Sequence, residues 1–261
     1  MSGERHLHLI PPTPRMRPGL VDVIRTLGTV LVGVTATATI GIAIIGVAAI
    51  RPTSSVVDQL TRAWARVILG AAGVRVETHG AHKINPEQAY VIISNHRSAA
   101  DIMCLFVALP LPVRFLAKQE LFSIPLLGSI LRSLRMVPVD RGAADHTSIN
   151  AASGAALRQG SSLVVFAEGT RVASADARPF KKGGVIIAQQ HNAPILPVTM
   201  VGTGNIFAPH GRIIRKGNVA VIIADPISPA LEVSMNIDEL VSTTRTIVLD
   251  NEQHWESQRR T

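Results

Sequence analysis

The stretch Tyr90-Val91-Ile92-Ile93-Ser94-Asn95-His96-Arg97-Ser98-Ala99-Ala100-Asp101 decides how this chain is read. Its first five residues form an apolar run of strand length, and residues 102–109 form an apolar run of helical character. His96 therefore falls at a strand-to-helix corner. On one continuous helix, His96 and Asp101 would be rotated by roughly 140° from each other and would not meet. A corner removes that obstacle. With Ser98 as N-cap, Asp101 takes the third helical position, the acidic end of a Ser-x-x-Asp capping box. One carboxylate oxygen then reaches the imidazole Nδ1, which leaves Nε2 free to take a proton from a hydroxyl. The local alternative is that Asp101 only caps the helix and His96 is an ordinary loop residue. His-x-x-x-x-Asp spacing by itself does not separate the two.

Outward from this corner, residues 74–78 alternate like an edge strand, and Asn85-Pro86 punctuates the chain before the central strand. A helix over residues 99–109 is stopped by Pro110 and Pro112. Strands are expected at 113–117, 135–139, 161–166, 195–200 and 219–223. Helices are expected at about 119–134, 144–159, 184–191 and 236–250, and the charged end from residue 252 to 260 reads as a solvated tail. Strands alternating with helices imply an α/β fold, a largely parallel central sheet flanked by helices.

In such a sheet the ligand site lies beyond the carboxyl ends of the strands. Those ends carry His96, Lys118, Asp140-Arg141 and Glu168-Gly169-Thr170-Arg171. Between residues 97 and 182 eleven Lys/Arg face six Asp/Glu, so most of the net charge of +8 gathers around this edge. Gly169 sits where the backbone must turn tightly after a strand. Arg171 beyond it has the planar fork suited to phosphate. Lys118, and Lys181-Lys182 beside Gly183-Gly184 at a helix start, add charges and backbone N–H groups for the same anion. Read individually, Glu168 and Arg171 are a surface ion pair and the lysines a solvated rim.

The 261 residues, 47% of them hydrophobic, allow one substantial core with an appendage. Residues 1–72 read as an N-terminal membrane anchor with an amphipathic helix, and residues 73–261 as the α/β domain. No charged residue occurs between Arg25 and Arg51, and residues 27–50 are long and apolar enough to cross a bilayer. Arginines flank both ends, so charge sets no orientation, and the segment either spans or dips into one face. Residues 55–72 read equally as a basic helix lying in the interface and as a helix packed on the domain. The single cysteine, Cys104, lies in an apolar run and implies neither a disulfide nor a zinc site. The basic balance calls for an anionic partner, but 3% aromatic residues and no zinc-finger or RNP-type motif argue against nucleic acid as that partner.

Asn95-His96-x-Ser98-x-x-Asp101, Lys118-x-Glu120-Leu121, Val139-Asp140-Arg141, Phe166-x-Glu168-Gly169-Thr170-Arg171 and Leu196-Pro197-Val198 occur in an order and spacing that resembles the glycerophospholipid acyltransferases, in particular the bacterial 1-acyl-sn-glycerol-3-phosphate acyltransferases. The resemblance runs from about residue 90 to 201. It departs at Ala167, where the family usually has proline and a looser loop is expected, and at Met136, where glycine is common. It implies an acyl thioester-dependent enzyme that acylates the sn-2 hydroxyl of lysophosphatidate to give phosphatidic acid. His96 would be the general base oriented by Asp101. Lys118 and Arg171 would hold the phosphate, with Arg141, Gly169, Thr170 and Lys182 completing the substrate site and Glu168 positioning Arg171 or the glycerol. No metal or cofactor is implied, because the thioester of coenzyme A or acyl carrier protein, the co-substrate, is already activated. The expected setting is the lipid bilayer, at the cell inner membrane with the catalytic domain on the cytoplasmic face. The rival readings are the same chemistry on another lyso-lipid, such as lyso-ornithine lipid, and a non-catalytic membrane lipid-binding protein.

Overall fold

The computed structural model of the chain describes residues 18–140, 146–172 and 178–258. Two helices come first, α1 (Leu20–Ile50) and α2 (Ser55–Ala72), followed by β1 (Val74–His79), β2 (Val91–Ser94), α3 (Ala100–Ala108), β3 (Val113–Lys118), α4 (Leu127–Ser133) and β4 (Val137–Val139). The chain continues through α5 (His146–Arg158), β5 (Ser162–Phe166), α6 (Gly183–His191), β6 (Ile195–Val201), α7 (Thr203–Ile206), β7 (Gly217–Ile223), α8 (Pro229–Ser234) and α9 (Ile237–Gln258).

The strands form one sheet in the order β1-β7-β6-β2-β5-β3-β4. Strands β6, β2, β5, β3 and β4 run parallel, while β7 pairs antiparallel with β6 and carries β1 parallel to itself. Central strand β2 shows why its sequence is apolar throughout. Val91 and Ile93 join the core that includes Val185 of α6 and Val248 of α9, whereas Ile92 faces the opposite core with Leu105 of α3 and Leu69 of α2. A strand covered by helices on both faces leaves no polar side.

Helix α2 begins at Ser54, whose side chain accepts from the Val56 N–H at 3.3 Å, and ends at Gly73 in the left-handed region. Val57, Thr61, Ala65, Leu69 and Ala72, mostly four residues apart, are its buried face, so it packs on the domain. Helix α1 docks on α2 and α4. The Ile214 N–H donates to Thr26 Oγ1 (2.9 Å) and the Trp64 indole N–H to Thr37 Oγ1 (3.0 Å). Gly41 admits the Ile130 side chain, which a Cβ at that position would overlap. The other side of α1 exposes Leu20, Ile24, Leu27, Leu31 and Val34, and by length and composition this helix is able to cross a membrane.

Two sequence expectations change. The helix expected over 119–134 is a 3-10 turn (Gln119–Ser123), a break and α4. Pro125 lacks the N–H that a continuous helix needs, and Leu126 takes φ +63°. The terminal helix continues through residues expected to be a solvated tail, and Glu252 within it is buried at 6% exposure.

Candidate active site

Four adjacent parallel strands, β2, β5, β3 and β4, end at one edge of the sheet and deliver His96, Glu168, Lys118 and Asp140 there. Arg141, expected in the same cluster, lies outside the described residues, as does the segment 173–177.

The corner after β2 is held from every side. The Asn95 side chain bonds Met200 of β6 like a strand neighbour, donating to its carbonyl at 2.9 Å and accepting from its N–H at 2.7 Å. Ser98 Oγ accepts from the Ala100 N–H (3.1 Å) and donates to the Phe207 carbonyl (2.7 Å). Helix α3 begins at Ala100, so Asp101 lies in its first turn. Asp101 is fully buried, and its Oδ2 receives the Arg97 N–H (2.8 Å) and the Ser98 N–H (2.9 Å) while lying 2.8 Å from His96 Nδ1. Oδ1 is buried without a donor among the described residues. The imidazole stacks on Phe166 with ring centroids 3.8 Å apart and an 11° interplanar angle. A ring held at Nδ1 and on one face presents Nε2 as acceptor when Nδ1 carries the proton.

The loop after β5 is tied to that corner. The Ala167 N–H donates to the Ser94 carbonyl at 3.0 Å, and the Val172 N–H to the His96 carbonyl at 3.0 Å. Alanine at 167 thus supplies a backbone bond that proline lacks. Met136 is buried, and its sulfur faces the Phe115 N–H at 3.1 Å.

Glu168 is 1% exposed. Its Oε2 accepts from the His96 N–H (2.8 Å) and its Oε1 from Arg97 (2.5 Å). The guanidinium it holds is therefore that of Arg97, not the expected Arg171, because burial beneath the corner turns the carboxylate inward. Burial pushes the Glu168 carboxyl up, against the opposing charge and hydrogen bond of Arg97 and the hydrogen bond from the His96 N–H. Arg97 also grips Glu252 of α9 through Nε (2.8 Å) and a terminal nitrogen (2.7 Å). Burial alone would lower its guanidinium, but the Glu252 and Glu168 carboxylates outweigh that and hold it above its ordinary value.

His96 opens on a cavity of about 1030 Å³. One end is cationic and rich in backbone donors, with Lys118, Lys181, Lys182, Gly169, Gly183 and Gly184. The remainder is apolar and runs past Phe106, Phe115 and Leu134 to Trp64 of α2 and Gly41 and Ile44 of α1. Gly169 (φ +72°) has Lys181 packed where a Cβ would stand, 2.8 Å from Nζ. Lys118 and Lys182 carry exposed ion-pair partners, Glu120 (2.6 Å) and Asp238 (2.7 Å). Thr170 and Arg171 are half-buried beside this wall without lining it, and Arg171 has no hydrogen-bond or ion-pair partner among the described residues. No group of three or more His, Cys, Asp and Glu among the described residues is arranged for a metal ion.

Arg97 and Glu252 had no assigned part in the sequence reading. An arginine inside an otherwise small and polar corner was the available signal for the first. For the second, Glu252 stands four residues from Val248 in one helix, the spacing of a buried face.

A family model described as Acyltransferase matches residues 75–201. The 1-acyl-sn-glycerol-3-phosphate acyltransferase of Borreliella burgdorferi is 30% identical over 67% of this chain and 70% of its own length. The enzyme of that name from Bacillus subtilis is 30% identical over 63% of this chain and 79% of its own. A human relative, 1-acyl-sn-glycerol-3-phosphate acyltransferase alpha, is 31% identical, and the match spans 56% of its length. The fold matches the crystal structure of the 1-acyl-sn-glycerophosphate acyltransferase PlsC from Thermotoga maritima with a TM-score of 0.78, covering 91% of this chain and 97% of that one at 21% identity.

Proposed function

This chain belongs to the acyltransferase family that includes the 1-acyl-sn-glycerol-3-phosphate acyltransferases, and on that premise we propose that it acylates the sn-2 hydroxyl of lysophosphatidate from acyl-CoA or acyl carrier protein, giving phosphatidic acid. The observation that carries this reading is the cavity, whose lining joins His96, held by Asp101, to three lysines and a long apolar wall. Such a space suits a lipid with an anionic head and an acyl chain that meet at one reacting centre.

His96 Nε2 takes the proton of the acceptor hydroxyl as its oxygen attacks the thioester carbonyl. Asp101 orients the imidazole and stabilises its protonated form. The tetrahedral carbon then collapses, the carbon–sulfur bond breaks, and the thiolate leaves with the proton returned by His96. Lys118, Lys182 and the backbone around Gly169 and Gly183 draw the phosphate, and Arg171 beside them turns in to grip it with Thr170. Glu168 acts here by holding the His96 N–H.

We place the protein on the membrane through α1. Its docked face joins it to the domain from Thr26 to Gly41, so the opposite face is the one that enters lipid, and the helix lies along the domain. The inner membrane, with the domain on the cytoplasmic face where both thioester donors are made, fits this reading.

The test is thioester consumption by the purified protein in mixed micelles, with lysophosphatidate and either donor. Wild type is expected to form phosphatidic acid, and His96→Ala to lose on the order of 10²–10⁴-fold in kcat. Wild-type turnover by His96→Ala rejects the base. Equal rates on a phosphate-free acceptor such as lyso-ornithine lipid reject the acceptor.

A further inference from the structure

We propose that Glu252 of α9 is a positioning residue for acyl transfer, acting on His96 through Arg97 and Glu168. The inference rests on His96 being the base, as read above. Glu252 lies far beyond the matched segment 75–201, on a helix that packs against β6 and α6. Nothing about its own neighbourhood in sequence connects it with the corner at residues 95–101.

The connection is made by one guanidinium. Arg97 presents two nitrogens to the two oxygens of Glu252, at 2.8 and 2.7 Å, and a third to Glu168 Oε1 at 2.5 Å. A two-pronged bond of this kind fixes the plane of the guanidinium as well as its position. Glu168 passes the constraint on, since its second oxygen holds the His96 N–H at 2.8 Å. The backbone of Arg97 closes the loop, because its own N–H goes to the same Asp101 oxygen that faces the imidazole. Both peptide N–H groups flanking the His96 side chain are thus anchored by a network whose far end is Glu252. All three charged side chains are buried, so water offers no replacement partner.

Loss of Glu252 leaves Arg97 held by a single bond to Glu168, about which it pivots. The pivot moves the carboxylate under His96 and tilts Nε2 away from the acceptor hydroxyl. Displacements of about 1 Å at a reacting pair cost on the order of 10²-fold in rate. The substrate-facing wall of the cavity contains none of these three side chains, so binding is untouched.

Glu252→Gln keeps the shape and removes the charge and one acceptor. Expected is a fall in kcat of about 10–100-fold, with KM for lysophosphatidate and for acyl-CoA within about twofold of wild type. Glu252→Asp, which retains the charge, is expected to lose less. In an Arg97→Gln background, Glu252→Gln is expected to add no more than about twofold, because the relay is already cut. Leu240→Ala, a buried α9 residue away from the network, is the stability control. It should lower Tm and leave kcat unchanged.

Wild-type kcat in Glu252→Gln overturns the proposal. So does a loss that Leu240→Ala matches at equal Tm, or one that multiplies in full with Arg97→Gln. If Glu252→Gln does not fold, Glu252→Asp decides, and unchanged kcat there rejects the relay. Retained activity in His96→Ala brings down the base assignment instead. Inactive His96→Ala beside fully active Glu252→Gln rejects only the role of Glu252.

Discussion

Two regions of the site, a few residues apart in space, are built on opposite principles. The corner from Asn95 to Asp101 is buried and over-determined, and Asp101 Oδ2 alone meets three donors. The cationic rim of Lys118, Lys182 and Arg171 is open, with two lysines in exposed ion pairs and the arginine without a partner among the described residues. Exposed pairs of this kind are screened by solvent, add little to stability and exchange partners readily. The difference teaches where pre-organisation is spent. The proton-transfer geometry exists before substrate arrives, whereas the anion grip is completed by the anion itself.

Asp101→Asn breaks the comparison on its rigid side. It leaves volume unchanged but turns an amide toward donors that require an acceptor, and kcat should fall on the order of 10²–10⁴-fold, measured as thiol release. Arg171→Ala tests the open side. KM for lysophosphatidate should rise about 10–100-fold, the worth of a charge-assisted pair, with Tm unchanged. An effect on kcat alone would remove Arg171 from the phosphate.

Gly169→Ala probes the joint between the two regions. A side chain at φ +72° costs about 1–3 kcal/mol, and its Cβ displaces Lys181, so a lower Tm and a several-fold loss of kcat/KM are expected together. The smallest effect is at Cys104, fully buried behind Asp101. Burial, with the Asp101 charge, pushes its thiol well up, so it stays protonated in the folded state at pH values where an unfolded thiol ionises. Maleimide at pH 8 should label it only after denaturation, and folding stability should decline slightly as pH rises above the ordinary thiol range.

The exchange of partners at Glu168 marks the limit of sequence reading. Adjacent in the motif, Glu168 and Arg171 look like a pair, but a residue buried at a strand end answers to whatever lies beneath the sheet edge. There the available cation is Arg97. The break at Pro125 was written in the sequence as plainly as those at Pro110 and Pro112, yet the apolar run around it suggested continuity. Only the short turn taken through Leu126 shows the chain reversing into α4 against α1.

By itself the sequence determined the alternation of strands and helices, the apolar strands covered on both faces, and the corner that brings His96 to Asp101. All three are encoded within a few residues by periodicity, capping and turn chemistry. Tertiary structure alone decided that an arginine and a glutamate 155 residues apart would share a bond, and that α1 would wall the far end of the cavity. Contacts of that kind arise when strand crossovers stack distant segments and burial forces each charge to find a partner. No local pattern records which partner that will be.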